Sequence, residues 1–326
     1  MNTTLTPENV TLPKERTYFT ILAIVSCVVW LVCVVTIFPL IGLAIGGLVV
    51  WLAHGLLIAR LKSDAVKVDE NQLPELAASF ATVCRELKVA KVPELYVMQA
   101  GGLLNAFATR FAARDFVVVF SDLLETYGPE SGEIKFLLGH EIGHVRSRHI
   151  FKHMLVIPGM FLPLLGSAYA RACESSCDRH GALASGDADA SVRAMLVLSG
   201  GRNAGRSLTP EAFSAQHYAA RGFFVSLHEL FSGYPTQSKR VADLLDIRNG
   251  RVTPPPARSA LAYLLALFCP GARYGIIGAV MTFYMFFILL GVALPVFAKA
   301  KQKAKAAQVQ RQEAYERQSG RGVPAR

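Results

Sequence analysis

A histidine pair with a glutamate beside its first member is the part of the sequence best suited to chemistry. His140 and His144 are four residues apart in the segment LGHEIGHV. On a helix this spacing brings both imidazoles to one face, where they can bind a single zinc ion, and Glu141 lies one position further round, within reach of a metal-bound water. Zinc lowers the pKa of its water towards neutrality, so the segment predicts peptide-bond hydrolysis with Glu141 as the general base.

A catalytic zinc ion usually has three protein ligands and one water, so a third ligand is needed. Glu174 and Asp178 follow thirty residues after the motif and are themselves four apart. On a second helix, Glu174 can bind the metal while Asp178 accepts a hydrogen bond from a ligating histidine. Cys173 and Cys177 are also four apart and form the alternative ligand pair, but thiolate-rich zinc sites are usually structural and would leave Glu141 without a purpose. We expect one zinc ion per chain.

Two more histidines follow on the same stretch. His149 and His153 lie five and nine residues after His144. If residues 132–153 form the single long helix that their periodicity predicts, both histidines lie off the face of His144. We therefore expect them at the protein surface or at a membrane interface.

The segments around these residues favour a mostly helical α+β domain. Residues 94–98 and 116–120 have the apolar and aromatic character of short strands. Further helices are predicted at residues 73–87, 170–184, 189–198, 210–231 and 238–247.

The composition indicates a membrane protein. Of 326 residues, 52% are hydrophobic and 18% are charged, and the mean hydropathy is +0.35. This is too apolar for an ordinary soluble domain and excludes a disordered chain. Residues 17–59 contain no Asp, Glu, Lys or Arg, which is enough for two helical crossings with a turn near Phe38-Pro39. Basic residues flank the pair on both sides, so both of its ends are predicted on one side of the bilayer.

The C-terminal part is predicted to return to the membrane. Residues 275–297 are long enough to span it, whereas residues 259–269 cover only about half a bilayer. If the tail and the domain lie on the same side, residues 259–270 must enter the membrane as a short arm, with Arg273 at the far turn. Residues 154–169 contain Pro158 and Pro163 and predict a connector or a shallow dip.

The net charge of +10 is concentrated at the C terminus, where residues 299–326 hold eight Lys or Arg. A basic run directly after an apolar segment favours a cytoplasmic location on anionic lipid. Tyr315 is its only aromatic residue, so no nucleic-acid partner is expected. The six cysteines do not suggest a disulfide framework and favour reduced thiols. We expect a multi-pass integral membrane protein, in the inner membrane if the source is bacterial, with the catalytic domain and the tail in the cytoplasm.

These observations divide the chain into five parts. They are an N-terminal segment (1–16), a transmembrane helical hairpin (17–59), a zinc metallopeptidase domain (60–252), a Pro-rich linker with a C-terminal membrane region (253–298), and a basic tail (299–326).

Five motifs, in this order, resemble those of the HtpX-type integral-membrane zinc metallopeptidases, which are related to the CAAX prenyl proteases. The resemblance runs from about residue 92 to residue 245. It implies a zincin-type domain with a small sheet, flanked by N- and C-terminal transmembrane helices, and makes His140, His144 and Glu174 the zinc ligands. The motifs are NAFAT at 105–109, VVVFSDLL at 117–124, the HExxH helix, the Glu174 to Asp178 motif, and an element from Tyr234-Pro235 to Arg240.

The same resemblance implies where a substrate binds. Asn105 is expected near the substrate backbone. The strand that contains Phe116, Val118 and Phe120 is expected to be the edge strand of the cleft, pairing with an extended substrate by main-chain hydrogen bonds.

Near the end of the resemblance, Tyr234 and Arg240 are candidates for contact with the oxyanion. The alternative for Tyr234, which is favoured over this contact, is a surface or packing position. Tyr234 stands where the family often has histidine, and Cys177 stands where the third-ligand motif usually has alanine. The thirty residues between His144 and Glu174 cannot hold the two membrane helices of longer members, so the chain resembles a compact branch.

The sequence therefore predicts a membrane-anchored zinc endopeptidase that acts on membrane or membrane-associated proteins, with protein or peptide substrates and the lipid bilayer as its partners. The alternatives are a processing protease of narrow specificity, acting on prenylated proteins or propeptides, and a non-enzymatic membrane scaffold or chaperone that retains the fold. The sequence makes no prediction of the oligomeric state.

Overall fold

Two long apolar helices come first in the computed structural model, which describes residues 5–36, 38–271 and 274–318. They are α1 (Pro13–Thr36) and α2 (Phe38–Asp64). Within them, Pro13–Val35 and Gly42–Asp64 are long and apolar enough to cross a bilayer, and only 17% and 6% of these windows is buried. The C-terminal end of α2 packs on the sheet, where Ile58 and Leu61 are buried.

A four-stranded sheet forms one side of the domain that follows α2, in the order β1-β2-β4-β3. Strand β4 pairs in parallel with β2 and antiparallel with β3. The prediction that residues 116–120 form an edge strand is therefore wrong, because both edges of β4 are occupied. The edge strand next to β4 is β3, which the sequence analysis did not predict as a strand. The strands are β1 (Val66–Lys67), β2 (Glu94–Met98), β3 (Ala106–Phe111) and β4 (Arg114–Phe120).

Most of the remaining described residues are helical, which confirms the predicted mostly helical α+β fold. The helices that pack around the sheet or follow it are α3 (Pro74–Glu86), α4 (Ser121–Tyr127), α5 (Gly132–Arg146), α6 (His149–Leu155), α7 (Ile157–Met160), α8 (Leu165–Ser185), α9 (Ala188–Ser207), α10 (Pro210–Ala219), α11 (Phe223–Phe231) and α12 (Gln237–Arg248). They are followed by α13 (Ala260–Leu267) and α14 (Gly275–Gln318). The predicted turn at Arg273 lies outside the described residues.

Two predicted helices are broken by residues with positive φ. The expected helix over 132–153 ends at Arg146, because Arg148 adopts a left-handed conformation with φ 53° and starts α6 in a new direction. The expected helix over 210–231 is divided by Gly222, with φ 115°. A left-handed residue cannot continue a right-handed helix, and the sequence pattern carries no strong signal for an arginine in that conformation.

Helices α6 and α7 turn back against α1. Trp30 donates its indole N–H to the Leu155 carbonyl at 3.0 Å, and the Gly159 N–H donates to Ser26 Oγ at 2.9 Å. Because Trp30 and Ser26 lie well inside the apolar part of α1, the connector that follows α5 runs alongside a candidate membrane span.

Helices α5 and α8 approach closely at glycines. A Cβ added to Gly139 would lie 2.6 Å from Ala184 Cβ, and one added to Gly181 would lie 2.5 Å from the Phe136 carbonyl oxygen. At Gly143 the nearest backbone atom is Cys177 Cα, at 3.2 Å. The missing side chains let the two helices that carry the candidate metal ligands lie nearly backbone to backbone.

Candidate metal centre and active-site cleft

The candidate ligands of the two helices meet in one cluster. His140 Nε2 lies 3.4 Å from Glu174 Oε2, and His144 Nε2 lies 3.7 Å from Glu174 Oε1. One donor atom from each of the three residues lies within 4.8 Å of the others. Zinc bonds of about 2.1 Å in a tetrahedron place neighbouring ligand atoms about 3.4 Å apart. The donor set and its spacing therefore fit a zinc ion.

His140 is held from behind by a buried carboxylate. Its Nδ1 lies 2.9 Å from Asp178 Oδ1, and Arg240 donates from Nε to Asp178 Oδ2 at 2.8 Å and from Nη2 to Oδ1. Burial alone would raise the pKa of Asp178, but Arg240 and His140 together hold that pKa far below its usual range. Asp178 is therefore ionised and accepts the Nδ1 proton, which leaves Nε2 of His140 directed at Glu174.

His144 also contacts a second side chain through its Nδ1. The contact is with His149, which the sequence analysis expected at the surface or at a membrane interface. His149 is buried at 1% exposure, its Nδ1 lies 3.1 Å from His144 Nδ1, and its Nε2 lies 3.1 Å from Glu15 Oε1. The expectation of a surface or interfacial His149 is wrong because the break at Arg148 returns α6 towards α5. The sequence signal that was missed is Glu15, an acidic residue in the first turn of an apolar helix.

Glu141 lies beside the donor cluster and is nearly buried. Burial raises the pKa of its carboxyl group to about 7, while the charge of His140 and a backbone hydrogen bond with Ala108 act in the opposite direction. A carboxylate with a pKa close to neutrality suits proton transfer at physiological pH. Glu141 faces a cleft of about 370 Å³ that also exposes His140, His144 and Glu174.

The predicted substrate residues divide into two groups. Asn105 and Tyr234 line the cleft, and so do Ala106, Phe107 and Ala108 of the free edge of β3. The other predicted residues, Phe116, Val118 and Phe120, do not line it. They are buried in a cluster with residues of α2.

Arg240 lines the cleft wall, yet two of its nitrogen donors are engaged by Asp178. Its observed contact is with the carboxylate behind His140. Through Asp178, Arg240 therefore supports the candidate ligand His140. The sequence analysis had predicted a contact of Arg240 with an oxyanion.

The two cysteines of α8 lie near the cluster without joining the His140 set. Cys177 Sγ lies 3.6 Å from His149 Nδ1, and Cys173 Sγ lies 4.0 Å from His153 Nε2. Each could join a group that includes His149, with His144 for Cys177 and with Glu15 for Cys173. Burial raises the pKa of both thiols, which disfavours the thiolate form that binds metals.

Comparison with known proteins finds two similarities. Residues 70–168 match the model of peptidase family M48. The chain is also 28% identical over 153 residues to the plastoglobule-localized metallopeptidase 48, chloroplastic, of Arabidopsis thaliana, a match that covers 42% of this chain and 43% of that protein. No solved structure gives a significant match.

Residues 70–168 are thus similar to peptidase family M48, which confirms the resemblance drawn from the motifs. M48 is a metallopeptidase family, which agrees with the His and Glu cluster found here. The matched range includes the HExxH helix and ends before Glu174. The case for Glu174 as a candidate third donor therefore rests on its distances to His140 and His144.

Proposed function

We propose that this protein is a membrane-anchored zinc endopeptidase in which His140, His144 and Glu174 bind one zinc ion and Glu141 is the general base. The observation that supports this most directly is that one donor atom from each of these three residues lies within 4.8 Å of the other two. Glu141 lines the same cleft. A bound zinc ion would polarise the substrate carbonyl and lower the pKa of a water. Glu141 would accept a proton from that water at its carboxylate and later deliver it to the leaving amine.

Strand β3 is the proposed site of substrate pairing. Its free edge lies along the cleft from Ala106 to Ala108, so an extended peptide can add to the sheet by main-chain hydrogen bonds. Asn105, at the start of this edge, can orient the peptide backbone. Tyr234 also lines the cleft and could donate its hydroxyl to the developing oxyanion.

Two buried carboxylates are proposed to fix the protonation of the ligating histidines. Asp178 accepts the Nδ1 proton of His140. If His144 binds zinc through Nε2, its Nδ1 carries a proton that it donates to His149 Nδ1, and His149 Nε2–H then donates to Glu15. Each histidine is thereby kept in the tautomer that presents Nε2 to the metal.

The substrates proposed for this cleft are membrane or membrane-associated proteins. Helices α1 and α2 expose large apolar side chains over most of their length, including Ile24, Leu31 and Leu56. The cleft residues His149, Ile150 and His153 come from α6, whose exposed apolar residues continue into α7 beside α1 (Phe151, Met154, Leu155 and Ile157). A cleft beside a membrane span is most accessible to polypeptides that lie at the bilayer surface.

The catalytic domain and the basic tail are both proposed to be cytoplasmic, because basic residues flank the helical hairpin and fill the tail. Labelling of a cysteine introduced near Gln318 in intact cells, in a background lacking the native cysteines, tests this placement. Labelling from outside the cell, with the domain protected, would contradict it without affecting the zinc chemistry.

Glu141→Gln tests the function. Purified full-length variant should retain about one zinc ion per chain and lose cleavage of casein by at least ~100-fold, because the base is removed and the ligands are kept. The parent protein is the control for both measurements. Cleavage by the zinc-loaded variant would contradict the role of Glu141, and a zinc-loaded parent that cleaves no protein would favour a scaffold. Cleavage of only prenylated or precursor proteins would favour the narrow processing protease.

A further inference from the structure

A second concavity lies on the other face of α8. It encloses about 330 Å³ and shares no lining residue with the active-site cleft. Arg171 and Ser175 face it, whereas Glu174 and Asp178 on the same helix face α5. The start of α1, the loop before α8, and parts of α11 to α13 complete its wall. We call it the basic pocket.

Every charged side chain that lines the basic pocket, among the described residues, is a cation. These residues are Lys14, Arg171, Lys239 and Arg258. Asp243 pairs with Lys239 at 2.5 Å and Glu229 pairs with Arg258 at 2.8 Å, both from outside the lining.

The remaining two cations, Lys14 and Arg171, have no salt-bridge partner within the described part of the chain. Arg171 is nevertheless held in place, because its Nη1 donates to the carbonyls of Glu229 and Ser232 at 2.7 and 2.6 Å, at the end of α11. Carbonyl oxygens position a guanidinium group without neutralising it. Burial and the nearby charge of Arg258 lower the pKa of Arg171 to about 10, while the charge of Glu229 acts in the opposite direction. Two of the four cations of the pocket, Lys14 and Arg171, are therefore not neutralised by an ion pair.

The basic pocket lies at the N-terminal end of the candidate membrane span in α1. Lys14 is the second residue of the candidate span that starts at Pro13, and Tyr18 follows it one turn later. On the other side, α13 places Tyr263 in the pocket wall and exposes Leu264 and Leu267. Tyrosines are typical of the headgroup level of a bilayer. The wall also contains leucines, which suit an acyl chain and have no role in binding a free ion.

We propose that the basic pocket binds the phosphate group of an anionic phospholipid, with the phosphate among Lys14, Arg171, Lys239 and Arg258 and the acyl chains along α1 and α13. The four cations favour a negatively charged phosphate group. The apolar side chains of α1 and α13 at the mouth favour a phosphate that belongs to a lipid. This goes beyond the proposed peptidase activity. It shares with that proposal only the membrane location, and binding is measured without any peptide substrate.

Native mass spectrometry of the full-length protein, titrated with phosphatidylglycerol in neutral detergent, tests the site. The Lys14→Gln, Lys239→Gln double variant should bind phosphatidylglycerol roughly 30-fold more weakly, about fivefold for each charge removed. The matched control is the Lys299→Gln, Lys301→Gln double variant, which removes the same charge from exposed positions in α14. Its affinity should stay within about twofold of the parent. Equal losses in both variants, or no loss in either, would overturn the proposal.

Two further measurements separate the sources of phosphate and guard against a variant that does not fold. Millimolar inorganic phosphate should leave the bound phosphatidylglycerol in place, and displacement of the lipid would overturn the lipid assignment. In the unmodified protein, a phosphatidylglycerol analogue with a photoreactive headgroup should label peptides that contain Tyr18 or Tyr263. Labelling confined to other regions would also overturn it.

Discussion

His149 Nδ1 lies 3.1 Å from His144 Nδ1, although the two residues are five positions apart and would lie on different faces of a continuous helix. The contact exists because Arg148 interrupts the helix with a left-handed conformation. His149 in turn contacts Glu15 of α1. A residue at the start of a candidate membrane span is thus connected through His149 and His144 to the candidate metal-binding cluster.

Removing this connection should weaken metal binding. We expect His149→Gln and Glu15→Gln each to lower zinc affinity by about 10- to 100-fold, because His144 loses the groups that fix its orientation and tautomer. Competition with a chromophoric chelator measures the affinity. The control is His228→Gln, an exposed histidine on α11. Unchanged zinc affinity in both test variants would show that the contacts of His149 with His144 and Glu15 have no effect on metal binding.

The third ligand can be distinguished from its cysteine alternative by a pair of variants. Glu174→Ala removes a donor that lies 3.4 Å from His140 Nε2, so zinc affinity should fall by at least ~100-fold. Cys177→Ala restores the small residue typical of the family and should keep zinc affinity within a few fold. The opposite pattern, measured by the same chelator competition, would assign the metal to the cysteine.

We expect Asp178 to affect zinc affinity through its hydrogen bond with His140 and not through the stability of α8. Asp178→Asn removes the charge that receives the His140 proton and leaves Arg240 buried without its carboxylate partner. We expect a loss of about 10- to 100-fold in zinc affinity. Asp189→Asn, at an exposed carboxylate in the first turn of α9, is the matched control. If both variants bind zinc like the parent, Asp178 has no part in the site.

The close approach of α5 and α8 predicts a size limit at Gly139. A methyl group there would meet Ala184 Cβ at 2.6 Å and Gly181 Cα at 2.9 Å. We expect Gly139→Ala to lower the free energy of unfolding by about 1–3 kcal/mol, since backbone atoms must move. Gly46→Ala on α2, where no atom lies within 4 Å, should be neutral or slightly stabilising. Denaturant unfolding in detergent compares them, and equal stability of the two variants would contradict the packing argument.

Because His180 is buried and neutral in the folded protein, we expect the protein to lose stability in mild acid. It is fully buried, its Nδ1 donates to the Ser176 carbonyl at 2.8 Å, and its Nε2 accepts from Arg146 at 3.0 Å. Burial lowers its pKa from 6.5 to about 4. Above pH 6.5 both folded and unfolded chains hold it neutral, but as the pH falls towards 4 only the unfolded chain takes up the proton. Stability should therefore fall by up to about 3 kcal/mol in this window.

The comparison that checks this is thermal unfolding in detergent at pH 7 and pH 5. The parent protein should lose more stability between these pH values than His180→Asn, which cannot titrate. Parallel losses in the two proteins would mean that other groups cause the acid sensitivity.

The local arrangement of the candidate site residues could be predicted from the sequence alone. The positions of His140, Glu141 and His144 relative to one another follow from the hydrogen bonds of a single helix turn, which fix the direction of each side chain within a few residues. The same holds for Glu174 and Asp178 on α8. The apolar lengths of α1 and α2 are equally a property of the sequence.

Contacts between distant elements could not be predicted in this way. Whether β4 lies at an edge depended on β3 pairing with it, and this pairing removed Phe116, Val118 and Phe120 from the cleft. The contact of His149 with His144 depended on one left-handed residue, Arg148, and its contact with Glu15 depended on α1 packing beside α6. Such relationships arise from packing between segments far apart in the chain, and the periodicity of any one segment does not encode them.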